Sequence, residues 1–256
     1  MNSVPIVVAG DWHGNLGWAR TVVRSAAWQG VKTILQVGDF GALWPGKMKG
    51  RFEARLNLYL EASDIRLIFI AGNHDNWAEL EKLPIDEDGL ATLRSNIKYL
   101  PRPGRTTVQG LTVGGLGGAF SVDFRYRTEG KDWWAIEDLA PDHVAEFIAG
   151  GPVDILLTHD VPAEIQLRSG LNLPADVSAR ANVTRELLAQ AVAATRPAHV
   201  FSGHWHQRRI DEIMHPDGST TRVDVLNMEN SRDGNAVLLW PGETPLRIEP
   251  LRISGS

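Results

Sequence analysis

Apolar and polar positions fall into short blocks along the first third of the chain. Val4–Ala9 is an apolar run without a polar residue, the pattern of a strand covered on both faces. Leu16–Gln29, rich in Ala and Val, predicts a helix that stops before Gly30. Thr33–Val37 predicts a second strand. Arg51–Ser63 places Phe52, Leu56, Tyr59 and Leu60 at helical spacing, and Arg66–Ile70 is a third apolar run. Strands that alternate with helices predict an α/β domain with a largely parallel sheet.

The pattern changes in the middle. Thr106–Val108 and Leu111–Val113 flank Gln109-Gly110, which predicts a hairpin. Gly114–Gly118 and the polar, aromatic segment through Trp133-Trp134 predict loop structure. The glycine run is not a dinucleotide fingerprint, because no GxGxxG opens a helix there, and it reads more like a strand end passing close to a candidate site. Pro141–Ala149 predicts a short helix and Val153–Leu157 a buried strand. Gln166–Asn182, with Gly, Asn and Pro and little periodicity, predicts a long loop. Thr184–Thr195 predicts a helix and Ala198–Ser202 a strand. Beyond Arg208 the chain reads as short strands with turns at Asp217-Gly218 and Asp233-Gly234, expected to join a second sheet. No repeat or linker divides the 256 residues, so residues 1–256 are expected to form a single domain.

Composition narrows the chemistry. The net charge of -5 supplies no general field for nucleic acid, so a nucleic-acid partner is not favoured. The absence of Cys excludes disulfides and thiolate metal sites, and any metal must be held by oxygen and imidazole nitrogen. The apolar run at the N-terminus lacks a basic flank and is too short for a signal segment, and no stretch is long enough to span a bilayer. A cytoplasmic protein without a membrane partner is expected.

Those oxygen and nitrogen donors cluster where predicted strands end. The first strand runs into Gly10-Asp11-Trp12-His13, the second into Gly38-Asp39, and the third into Gly72-Asn73-His74-Asp75. Later strands run into Thr158-His159-Asp160 and Gly203-His204-Trp205-His206. Ligands bind at the carboxyl ends of strands in open α/β sheets, so five such ends can converge. Singly, Asp11 or Asp39 reads as a cap or turn residue, and His159 or His204 as a packed histidine. Together, five of the eight histidines fall in these motifs, and His143, His199 and His215 fall outside them.

In order and local context the motifs resemble those of the calcineurin-like metallophosphoesterase family: D-x-H, GD-x-x-D, GNH-D/E, a lone H and GH-x-H. The resemblance spans Asp11 to His206. It implies two mixed β-sheets packed as a sandwich flanked by helices, a four-layer α/β fold with metals at one edge. It also implies two divalent metal ions, with Mn, Fe, Zn and similar ions all compatible with the donors. Asp11, His13 and His206 would hold the first ion and Asn73, His159 and His204 the second, with Asp39 bridging. His74 would act at the leaving group and Asp75 would orient it. Two ions about 3.5–4 Å apart can activate a bridging hydroxide that attacks phosphorus in line. One departure stands out: Ala42 occupies the position where the family often has a second Asp, and Asp160 is the residue expected to compensate.

The implied function is hydrolysis of a phosphodiester, a small or cyclic nucleotide being favoured, with phosphomonoesters a further substrate class. A non-catalytic metal-binding scaffold and a nuclease of the same superfamily are the alternatives. Arg168 and Arg180 are candidates to contact a substrate phosphate. The segment Gly114–Trp134 reads as a structural loop whose tryptophans cover the core, with Asp123, Arg125, Arg127 and the Trp133-Trp134 pair flanking the substrate as the other reading. Trp12, Trp44, Trp77 and Trp205 would either rim the site or seal it from below. The sequence leaves oligomeric state open.

Overall fold

The computed structural model describes residues 4–168, 170–243 and 245–253. In chain order the strands are β1 (Ile6–Ala9), β2 (Thr33–Gln36), β3 (Arg66–Phe69), β4 (Ala91–Arg94), β5 (Ile97–Tyr99), β6 (Gly104–Val108) and β7 (Leu111–Leu116). They continue as β8 (Ile155–Thr158), β9 (His199–Ser202), β10 (Arg209–Met214), β11 (Thr220–Val225), β12 (Ala236–Trp240) and β13 (Arg247–Pro250). The α-helices are α1 (Leu16–Trp28), α2 (Arg51–Ser63), α3 (Trp77–Leu80), α4 (Pro141–Ala149) and α5 (Ala175–Thr195).

The strands form two mixed sheets. The first has the order β13-β12-β1-β2-β3-β5-β4 and the second β10-β11-β9-β8-β7-β6. β1, β2 and β3 run parallel, as do β7, β8 and β9. Alternation along β1 shows why both faces need cover. Ile6 and Val8 pack between the sheets, against Ile155, Leu157 and Phe201. Val7 and Ala9 pack outward with Val22 and Val23 of α1 and Leu56 and Leu60 of α2. The outer face of the second sheet, through Leu156 and Val200, meets Phe147 of α4 and Leu188 and Val192 of α5. The result is the expected four-layer α/β sandwich. Among the described residues no helix is long and apolar enough to cross a membrane.

Three details differ from the sequence reading. α5 begins at Ala175, inside the stretch read as loop. Its first turns bury only Val177, so they carry no apolar stripe, but Ala175, Ala179 and Ala181 favour helix. The strands beyond Arg208 divide: β10 and β11 join the second sheet, while β12 returns to pair antiparallel with β1 and carries β13 with it. Gly114 and Gly115 form the end of β7, as the strand-end reading has it, rather than a loop, and a side chain at 114 would strike the Phe147 ring at 2.6 Å. Glycine there lets α4 close on the sheet.

Candidate metal centre

Each motif sits just past the end of a strand. β1, β2 and β3 end at one edge of the first sheet, and β8 and β9 end at the same side of the second. Buried polar side chains fix these turns. Gln36, the last residue of β2, donates to the carbonyls of Gly10 at 3.1 Å and Gly38 at 2.6 Å. Asn235, fully buried before β12, donates to the carbonyls of Asp11 and Asn227 and accepts from the Trp18 indole at 2.7 Å. Its own carbonyl accepts from Gly10.

The turns are tight enough to strain the backbone. His13, Asp39, His204 and His206 all have positive φ, between 43° and 64°. L-residues visit this left-handed region at a cost, and such strain clusters at functional sites. Two glycines act by lacking a side chain: a Cβ at Gly203 would lie 2.1 Å from Asp11 Oδ1, and one at Gly72 would lie 2.2 Å from Asp39 Oδ1.

The candidate ligands converge. One ligand atom from each of Asp11, His13, Asp39 and His206 lies within 4.8 Å of the others. His206 Nε2 is 3.1 Å from Asp11 Oδ2. Asp39 faces two ways, with Oδ2 3.2 Å from His13 Nε2 and Oδ1 3.1 Å from His159 Nε2. His159 Nε2 is also 3.1 Å from Asn73 Oδ1, and the His159 and His204 rings lie 5.1 Å apart. Carboxylate, amide and imidazole donors of this kind suit a first-row divalent ion, and a carboxylate flanked on both oxygens has the chemistry of a bridge. Asp11, Asp39, Asn73 and His159 are buried, while His206 is exposed.

Outer partners orient the imidazoles. His159 Nδ1 donates to the Val37 carbonyl at 2.9 Å, which leaves Nε2 for the site. His13 Nδ1 meets Glu229 Oε2 at 2.7 Å. Such partners set tautomer and ring direction. Asn73 Nδ2 donates to Ser121 Oγ at 3.1 Å, and Ser121 donates to the buried carboxylate of Glu137, so the amide oxygen turns inward. Burial disfavours charge on Asp39, but the imidazoles of His159, His74 and His13 outweigh it and hold the carboxylate well below its usual range. Burial likewise opposes the imidazolium forms, yet Asp39 carries His159 up to about 10, and Asp39 with Glu229 carries His13 up to about 9.

Asp75 does not meet the His74 ring. Its buried carboxylate accepts from the backbone N–H groups of Phe40, Gly41, Ala42 and Gly72, at 3.2, 2.8, 2.7 and 2.7 Å. It therefore ties the turn after β2 to the turn after β3. Ala42, where the family often has Asp, presents its N–H to this anchor. His74 is placed by its own N–H, which donates to Asp39 Oδ1 at 2.7 Å, and by Arg127, whose Nη2 is 3.0 Å from His74 Nε2. Arg127 is in turn held by Asp123 at 2.8 Å. The segment 114–134 thus both covers the core, through buried Trp134, and reaches His74, through Arg127.

The other expected residues have partners of their own. Arg180 pairs with Asp138 at 2.7 Å and stacks over Phe120 and Phe124. The Arg168 side chain is exposed, and its carbonyl accepts from Gln207. Asp160 holds the Trp205 indole at 2.8 Å rather than a turn after β2. Trp12 and Trp77 are fully buried beneath the site, while Trp44 lines a cavity beside it. Sequence reasoning missed Glu229, Ser121, Glu137 and Asn235, which belong to no motif.

Comparison with known proteins bears on this arrangement. The sequence model of the calcineurin-like phosphoesterase family matches residues 4–208. No curated protein matches the chain. Among solved structures, TT1561 of Thermus thermophilus superposes with a TM-score of 0.59 at 16% identity, over 98% of this chain and 100% of that one. A dimetal phosphatase from Danio rerio superposes with a TM-score of 0.54 at 10% identity, over 99% of this chain and 100% of that one. At such identities the likeness is one of fold.

Proposed function

The chain belongs to the calcineurin-like phosphoesterase family, and we propose that within it the protein is a dinuclear metal-dependent phosphodiesterase acting on small nucleotide-like diesters. The observation that carries this reading is the placement of Asp39, whose two oxygens each lie within 3.2 Å of a different histidine. In this reading Asp11, His13 and His206 would hold one ion, Asn73, His159 and His204 the other, and Asp39 would serve both. Two divalent ions, when bound, would supply Lewis acidity and lower the pKa of water.

The chain's own groups supply the rest. Arg127 Nη2 donates to His74 Nε2 at 3.0 Å, which sets the guanidinium beside His74. Arg127 stabilises charge on the transferring phosphoryl group, a role suited to a planar donor fork held by Asp123. When the Arg127 donors turn to the phosphoryl oxygens, His74 Nε2 is freed from that bond and, in its N–H form, would donate to the departing oxygen. Asp75 positions both turns through the backbone and touches no substrate.

The test is to strip the protein of metal and add back Mn, Zn, Fe and Mg singly. Turnover of bis-(p-nitrophenyl) phosphate is then compared with that of p-nitrophenyl phosphate. Metal-dependent turnover with the diester preferred is expected. Preference for the monoester would overturn the diesterase assignment, and turnover of neither with any metal would overturn the enzyme.

A further inference from the structure

A cavity of about 590 Å³ opens beside the candidate centre, with His13 and His74 among its lining residues. Whatever part of a substrate extends from the reacting phosphate on this side must occupy it. Its charge is the first clue to what that part is. Arg51 and Arg55, one turn apart on α2, line the cavity, and no acidic residue does so among the described residues. In a chain of net charge -5 this is a local reversal. Surface arginines such as Arg125, Arg196 and Arg209 are paired with aspartates. Neither Arg51 nor Arg55 has a carboxylate within 4.0 Å among the described residues, and the Arg51 guanidinium donates to the Met48 sulfur at 3.4 Å.

Shape is the second clue. Trp44 and Phe52 give the cavity planar apolar surface. Trp44 is braced edge-on against Trp134 at 5.7 Å and lies 5.9 Å from the His74 ring. Phe52 packs edge-on against the buried Phe40 at 5.0 Å. Rings fixed by their neighbours are pre-formed for stacking and lose little freedom when they bind. The volume lies within the range of about 300–1,000 Å³ typical of small-ligand sites.

We propose that this cavity is a subsite for a planar aromatic group together with a second anionic group of the same molecule. The preferred substrate is then a small nucleotide-like diester that carries a further terminal phosphate. This rests on the phosphodiesterase reading above and deepens it. Trp44 and Phe52 take the aromatic group. Arg51 and Arg55 take the second phosphate, whose oxygens match the guanidinium fork.

Two probes separate the features: the dinucleotide ApA, with one internal diester, and pApA, the same molecule with a terminal phosphate. In the metal-loaded protein kcat/KM for pApA is expected to exceed that for ApA by about tenfold or more, the scale of a charged hydrogen-bonded contact. The double variant Arg51→Ala/Arg55→Ala is expected to bring that ratio towards one. Arg209→Ala, outside the cavity, should keep the wild-type ratio. Calorimetry of both probes with metal-free protein reads the same preference without turnover. A wild-type ratio near one in both assays, or a preference that survives loss of both arginines, overturns the proposal. Preferential binding of pApA with hydrolysis of neither probe, nor of bis-(p-nitrophenyl) phosphate, overturns the phosphodiesterase reading instead and leaves anion recognition standing.

Discussion

Gly72→Ala tests whether the two sheets bring their ligands together by close backbone approach. A Cβ at residue 72 would lie 2.2 Å from Asp39 Oδ1, 2.3 Å from the Asp39 backbone nitrogen and 2.7 Å from His159 Nε2. Non-bonded heavy atoms settle near about 3.5 Å, so the overlap with Asp39 exceeds roughly 1 Å. A carboxylate can rotate away, but the backbone nitrogen moves only with the turn. That turn is fixed by Asp75, which holds residues 40–42 and Gly72 at once. Overpacking costs about 1–3 kcal/mol, and a clash with backbone belongs at the upper end. A loss of about 3 kcal/mol lowers Tm by about 6–12 °C in a domain of this size. The assay is thermal unfolding of the metal-free variant, followed by a metal titration, which should show weakened binding because Asp39 is displaced. Gly17→Ala is the control. It lies in α1, where a Cβ meets only Asn15 Oδ1 at 3.4 Å, and alanine favours helix over glycine by about 1 kcal/mol. Its Tm should hold or rise. Wild-type Tm and metal affinity in Gly72→Ala would refute the reasoning.

Other outcomes follow from the same geometry. With pKa values near 9 and 10, His13 and His159 are protonated in the metal-free protein at neutral pH, so metal binding through neutral imidazole should release about two protons. Calorimetry in buffers of different ionisation enthalpy counts them, and release near zero would contradict the ligand assignment. Both values lie above the ordinary 6.5, so their contribution to metal-free stability is full below that pH and is lost as pH rises through 9 to 10. Burial pushes Glu137 up from 4.5 to about 8, so its contribution is full below 4.5 and is lost as pH rises through 8. Glu137→Gln should flatten that fall in the Tm–pH profile, and an unchanged profile would contradict it. Arg127→Ala should lower kcat by about a hundredfold or more, the scale of losing a charge-stabilising donor, with metal stoichiometry kept. An unaltered kcat in steady-state assays would remove Arg127 from the mechanism.

Local pattern made part of this legible and distance along the chain hid the rest. β1, β2, β3, β8 and β9 announce themselves as apolar runs, and each leads directly into a glycine- or threonine-led polar motif. β4 and β5 gave no such signal: four and three residues long, they alternate in burial and lie among polar neighbours. The return of β12 to β1 is a pairing across more than 200 residues that no local pattern encodes. The same holds for the site. Asp11, His13, Asp39, Asn73, His159, His204 and His206 stand in motifs, whereas Glu229 reaches His13 across 216 positions and Arg127 reaches His74 across 53. Asp75 sits in a motif, yet its partners are backbone N–H groups, which carry no sequence signature. The sequence places Arg180 in a loop, whereas the helix that begins at Ala175 contains it and sets it against Asp138.

Metal stoichiometry set beside turnover tests the central claim most directly. Wild-type protein and Asp39→Ala would be reconstituted with Mn, freed of excess ion, analysed for bound metal and assayed on bis-(p-nitrophenyl) phosphate. The account predicts two ions per wild-type chain with turnover, and at most one ion with turnover lost in Asp39→Ala. Full activity with a single ion, or an Asp39→Ala variant that keeps both ions and its activity, would contradict it.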